Sequence, residues 1–147
     1  MKIAIASDHG GYAYKQELIP YLTKMGHQVL DMGCNGPESV DYPDYGIPCA
    51  KAVAAGEADR GVVICGTGIG ISISANKVRG IRCALCTDPL MARLTREHND
   101  ANMLALGGRI IGIELAKEIV RVFFSTDFTG GRHQARIDKI TNYEEGR

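Results

Sequence analysis

Cys65 closes an apolar run and opens a loop in which glycine takes every second place, Gly66-Thr67-Gly68-Ile69-Gly70. A thiol at such a point can attack carbon as a nucleophile or, as a thiolate, remove a proton as a general base. Amides bared by glycine at a helix start can hold an anion, or the negative charge that develops on an oxygen. The same residues also have a purely structural use: a strand-end cysteine packs as a small hydrophobe, and glycine makes a tight strand-to-helix turn. Familiar phosphate loops do not fit. A GxxxxGK[ST] loop needs a lysine that nothing after Gly70 supplies, GxGxxG would put its third glycine at Ile71 or Ile73, and a Cys-x5-Arg loop would put arginine at Ile71.

Further chemistry-bearing residues recur along the chain. Asp8-His9 precedes Gly10-Gly11, a second backbone-accessible helix start at which Asp8 is alternatively a cap. His98-Asn99 ends a helical stretch, where the helix dipole by itself favours a histidine. Arg132 and Arg136 share one helical face, where two guanidinium forks clamp a phosphate or simply meet solvent. His27 begins a strand and is read as structural. Cys83 and Cys86 match CxxC, but an offset of three along a strand puts them on opposite faces, so they read as buried apolar groups. No metal is assigned.

Placing these residues requires an ordered frame. Short apolar runs at 2–7, 27–33, 61–66, 81–87 and 102–108 read as strands. Helix-like segments at 13–25, 45–55, 72–78, 89–98 and 114–124 separate or follow them, and a polar helical tail begins at about 132. This alternation implies an α/β fold: a five-stranded parallel sheet in a three-layer α/β/α, Rossmann-like doubly wound arrangement, forming one domain over residues 1–147. Ligands in such sheets collect at the carboxyl ends of the strands. Asp8-His9, Cys34, Cys65 with its glycines, Thr87-Asp88 and Gly107-Gly108-Arg109 all follow strands, so a polar crevice with Cys65 and His98 together is expected on one edge.

Composition narrows the function classes. Seventeen Lys plus Arg balance seventeen Asp plus Glu, which leaves no net field for nucleic acid or an anionic membrane surface. No apolar run approaches a membrane span, and MKIAIASDHGG lacks a signal-peptide core, so a cytoplasmic protein is expected. The five cysteines, an odd number without framework spacing, are expected to be reduced thiols.

Taken together, SDHGG, DYPDY, CGTGIGISISANKV, REHNDANMLALGGR and GGRHQARI, in this order, closely resemble the ribose-5-phosphate isomerase B family from Lys2 to about Ile140. The wider family includes allose-6-phosphate and galactose-6-phosphate isomerases. The resemblance implies interconversion of ribose 5-phosphate and ribulose 5-phosphate without metal or cofactor. It makes Cys65 the base that moves a proton between C2 and C1, Thr67 its orienting or relaying neighbour, and His98 the group that opens the furanose ring. Amides from Gly66 through Ser72, including Gly68, Ile69 and Gly70, would stabilise the enediolate. Asp8 and Tyr42 would line the sugar, and His9, Arg109, Arg132 and Arg136 match phosphate ligands. The resemblance also implies a homodimer, possibly a homotetramer, whose sites draw on two chains, with Asn99 and the C-terminal arginines associated with the crossing. Some relatives replace the cysteine by a Glu further along the loop; Ile71 stands there in this chain, so Cys65 carries the base role alone.

The chemistry agrees with the resemblance. Proton abstraction beside a carbonyl needs a base, an oxyanion site and a remote handle for binding energy. A non-catalytic sugar-phosphate sensor would keep the arginines and glycines but have no use for Cys65 and His98. A phosphoacceptor domain would need an aspartate where Cys65 stands.

Overall fold

Side chains alternate between the faces of a strand, so the parity of each apolar run decides which helix layer it meets. The computed structural model describes residues 1–147. Its elements are β1 (Lys2–Ser7), α1 (Tyr12–Lys24), β2 (Gln28–Asp31), α2 (Pro43–Ala54), β3 (Arg60–Cys65), α3 (Ile69–Asn76), β4 (Cys83–Leu85), α4 (Pro89–Asn99), β5 (Met103–Gly107), α5 (Ile113–Ser125) and α6 (Arg132–Glu144). On one face Ile3, Ile5, Val62, Ile64, Leu104 and Leu106 pack with Leu18 and Leu22 of α1, Ala92 of α4, and Ile119 and Phe123 of α5. On the other, Ala4, Ala6, Val63, Cys65, Met103 and Ala105 meet Cys49 and Val53 of α2 and Ile71 and Ala75 of α3. Cys86 joins the first cluster and Cys83 packs against the second, the opposite-face arrangement that their spacing implied.

All strand pairs are parallel, in the order β2-β1-β3-β5-β4. The winding reverses between β1 and β3, and at such a reversal the loops after the two strands diverge and leave a crevice. The loop at Asp8 and the loop at Gly66 flank that crevice.

Two helices start earlier than the sequence pattern indicates. α2 opens at Pro43, the favoured first-turn place for proline, and α3 opens at Ile69, immediately after Gly68 in the left-handed region at φ 78°. Glycine weakens a helix on propensity alone, so Gly70 argued for loop. Packing overrides this: a Cβ on Gly70 would stand 2.7 Å from Cζ of Tyr42, so the bare first turn is what admits that ring.

Gly130 and Gly131, both at positive φ, turn the chain back, and α6 docks through the buried Ile137. Its far end is tied by Glu144, whose carboxylate accepts from the Gly80 N–H at 2.9 Å and whose carbonyl accepts from Arg79 at 3.3 Å. No helix is long and apolar enough to cross a membrane.

Phe123 has no exposed surface, meets Phe124 edge-on at 5.1 Å between centroids, and lies under the Arg96 guanidinium at 5.7 Å. Phe123→Ala is expected to lower stability by about 3–5 kcal/mol in urea unfolding, with Phe123→Leu costing less than half of that. Equal losses for the two would place the stabilisation elsewhere.

Candidate active site

Cys65 ends β3 opposite Gly107 of β5, and only 4% of its surface is exposed. The Gly68 N–H donates to Cys65 Sγ at 3.1 Å, a bond that supports negative charge on sulfur. Thr67 Oγ1 accepts from the Ile69 N–H at 3.2 Å, which leaves the hydroxyl proton free to be given elsewhere. The Ser72 N–H is already in the helix ladder, bonded to Gly68 O at 3.2 Å. Amides of Gly68, Ile69 and Ser72 are thus committed within the protein, which narrows the expected anion cradle. Gly70 and Ile71 in the first turn of α3 have N–H groups that no protein atom accepts. The Gly66 and Thr67 N–H groups ahead of the helix likewise meet no protein acceptor, so these four amides are the donors open to an oxyanion.

Around this loop stand the other strand-end residues. Asp8 is buried, and its Oδ1 accepts from Gly10 N–H at 2.8 Å and Gly11 N–H at 3.2 Å. Asp8 thus closes the turn ahead of α1 and does not cap it, the N-cap being Gly11, and Oδ2 is left uncommitted. His9 accepts at Nδ1 from the Val40 N–H at 3.2 Å. Arg109 bonds through its backbone N–H to Gly66 O at 2.9 Å, and its guanidinium Nη1 lies 3.2 Å from where a Cβ on Gly66 would stand. With Tyr42 over Gly70, these groups occupy the carboxyl edge of β1, β3 and β5.

His98 and Asn99 are elsewhere. α4 leaves the carboxyl end of β4 and runs back along the sheet for 11 residues, about 16 Å. Its last turn lies at the amino edge, where Arg82, just ahead of β4, donates to Asn99 O and Asp100 O, both at 2.9 Å. α6 starts at the same edge. Thr129 donates to Glu97 O through its N–H at 3.2 Å and its hydroxyl at 2.7 Å, and the exposed Arg132 and Arg136 follow. Within one chain, then, Cys65 and His98 do not share a crevice, contrary to the sequence expectation. The reason is geometric: a crossover helix ends at the edge opposite the one it left. A cavity of about 440 Å³ at this amino edge is lined by Asn76, Arg82, Thr95, Asn99, Ile140 and Glu144, and includes none of the Cys65 loop.

The amino edge also contains a residue that the motif reading passed over. His133 stacks on His98 with ring centroids 4.3 Å apart and planes 15° from parallel. Its signal in the sequence was a histidine at a helix start, next to Arg132 and three residues before Arg136.

The frame agrees with the comparisons. Residues 3–140 match the ribose/galactose isomerase family. The chain belongs to that family. It is 49% identical to ribose-5-phosphate isomerase B of Escherichia coli K12 over 99% of this chain and 98% of that one. The structure of ribose-5-phosphate isomerase B from Clostridium thermocellum superposes with a TM-score of 0.98 at 57% identity, covering 99% of both chains. That of Thermotoga maritima gives 0.93 at 54% identity over 96% of this chain and 97% of the other.

Desolvation lowers the His133 pKa from the ordinary imidazole value, the neighbouring His98, Arg132 and Arg136 lower it further by like-charge repulsion, and Glu97 opposes them. The sign is fixed by like-charge repulsion: removing a positive neighbour raises it. NMR titration of native protein should therefore give a His133 midpoint below that of a model peptide, rising in Arg132→Gln and further in Arg132→Gln/Arg136→Gln. A midpoint insensitive to both substitutions would show that the guanidinium charges do not reach the stacked pair.

Proposed function

We propose that this chain interconverts D-ribose 5-phosphate and D-ribulose 5-phosphate through a cis-enediolate, at sites that two copies build together. The observation that carries this is a buried thiol held by the Gly68 amide, beside two N–H groups without acceptors at the first turn of α3. Cys65 takes the C2 proton as a thiolate base, the C–H electron pair becomes the C1–C2 double bond, and charge moves onto O1. The amides of Gly70 and Ile71 stabilise that oxygen, Thr67 relays the hydroxyl proton between O1 and O2, and Cys65 returns its proton to C1. His98 acts earlier: as the ring opens, the ring oxygen gains a proton and the C1 hydroxyl loses one. Asp8 and Tyr42 hold the sugar, and His9, Arg109, Arg132 and Arg136 hold the phosphate, with Asn99 beside the open chain.

The opposite-edge geometry supports a homodimer in which His98, Asn99, Arg132 and Arg136 of one copy complete the Cys65 crevice of the other. A twofold relation makes two such sites at once. Exposed apolar residues support the same association: Ile69 at 52% and Ile73 at 55%, one turn apart on α3, with Leu90, Met91 and Ile110 nearby in the same layer of loops and helix starts. All five cysteines are unpaired, in keeping with a cytoplasmic setting.

Proton NMR with ribose 5-phosphate in D2O containing EDTA tests the reaction. Native protein is expected to give ribulose 5-phosphate with solvent deuterium at C1, and Cys65→Ala to lose roughly a hundredfold or more in turnover while still binding sugar phosphate. Near-normal turnover by Cys65→Ala would sink the base assignment. If only allose 6-phosphate or galactose 6-phosphate reacts, the substrate is a hexose phosphate.

Mixing variants tests the sharing. Cys65→Ala and His98→Asn homodimers should each be nearly inactive, whereas subunit exchange restores roughly a quarter of native activity, since half the dimers are hybrids and each hybrid has one intact site. No recovery after verified exchange would place both residues of a working site in one chain.

A further inference from the structure

Lys15 in α1 is 1% exposed, and its ammonium meets a single carboxylate, Asp31 Oδ1, at 2.7 Å. Burying an ammonium is costly unless a partner holds it, and the proposed reaction has no step for this one. What the pair holds can be followed along the chain. Asp31 Oδ1 also accepts the Gly33 N–H at 3.0 Å. Gly33 O accepts from Ser7 N–H at 2.8 Å, and Cys34 N–H donates to Ser7 O at 2.9 Å, so the residue immediately ahead of Asp8-His9 is pinned on both its backbone polar groups. The segment then returns to the same place, where the Val40 N–H donates to His9 Nδ1 at 3.2 Å.

A backbone N–H can only donate, so the nitrogen it meets carries no proton, and the imidazole's N–H lies on Nε2. We propose that His9 meets the substrate phosphate as a neutral imidazole donating from Nε2, and that Lys15 and Asp31 are positioning residues for the strap from Asp31 to Val40 that imposes this tautomer. It rests on the reading of His9 as a phosphate ligand. The arginines then supply the charge, and His9 supplies a directed hydrogen bond whose orientation is set by the backbone.

Long-range proton–nitrogen NMR of native protein labelled with 15N-histidine tests this, with His9→Gln to assign the signals and inorganic phosphate as the probe. The expected result is an unprotonated Nδ1 and a protonated Nε2 before and after phosphate, with Nε2 shifting on binding. Lys15→Met/Asp31→Leu replaces the pair by apolar groups so that no unpaired charge stays buried. It should raise KM for ribose 5-phosphate about tenfold with kcat within about twofold, and mix the His9 tautomers. If that variant fails to fold, Asp31→Asn, which keeps an acceptor for Gly33, is expected to move KM and the His9 signals in the same direction. Protons on both nitrogens of phosphate-bound His9 would overturn the tautomer while keeping His9 as a ligand. Unchanged KM and His9 signals in the folded variants would overturn the positioning role. No response of His9 to phosphate would overturn both this inference and the ligand reading beneath it.

Discussion

A helix that joins two parallel strands must start at one edge of the sheet and finish at the other, and the organisation of this protein depends on that constraint. The loops after β1, β3 and β5 put Asp8, Cys65 and Arg109 on the carboxyl edge, while the end of α4 puts His98 and Asn99 on the amino edge. The length of α4, about 16 Å, separates its start at one edge from its end at the other. The α5–α6 connection strengthens the division, because Thr129 fastens the start of α6 to Glu97 and brings Arg132, His133 and Arg136 to His98. Each chain therefore holds two separate constellations, one around Cys65 and the other around the stacked histidines. The proposed twofold dimer would bring one of each together.

The carboxyl-edge constellation is itself a product of winding order. With β1 and β3 adjacent and the chain reversing between them, the turns at Asp8 and Gly66 face each other closely enough that a Cβ on Gly10 would stand 2.9 Å from the Gly66 nitrogen. A Cβ on Gly108 would stand 2.7 Å from the Gly10 carbonyl oxygen. Bare backbone at these points is a packing requirement of three loops meeting at one crevice, while the free amides at the start of α3 are those any helix N-terminus leaves unpaired.

Much of this was legible in the sequence because the signals are local. Apolar runs bounded by glycine and polar residues located β1, β3 and β5, and the offset of Cys83 and Cys86 gave their opposite faces. The early start of α3 was not legible, since it depends on the Tyr42 ring packing over Gly70, whereas Pro43 did offer a local signal for the start of α2. Residue types indicated which side chains carry chemistry, but the edge on which each one stands follows from chain direction, and treating a helix terminus as equivalent to a strand end joined His98 to Cys65 too soon. Val40 offered no signal at all, because what it contributes is an N–H that every residue except proline has.

The functional side chains in the crevice are held chiefly by backbone donors. Cys65 receives the Gly68 N–H, Thr67 the Ile69 N–H, Asp8 those of Gly10 and Gly11, and His9 that of Val40. Such donors cannot change charge or rotate away, so they fix which atoms of each side chain remain free for a ligand. The amino edge works differently: Arg82 and the nearly buried Arg96 grip carbonyls and the Asp100 carboxylate at the end of α4, and the stacked His98 and His133 stand beside two exposed guanidinium groups. One half is set by backbone geometry and the other by charge. In the proposed dimer, exposed positive charge would lie over rigid donors, an arrangement suited to drawing in a phosphorylated sugar and then holding its reacting carbons to one geometry.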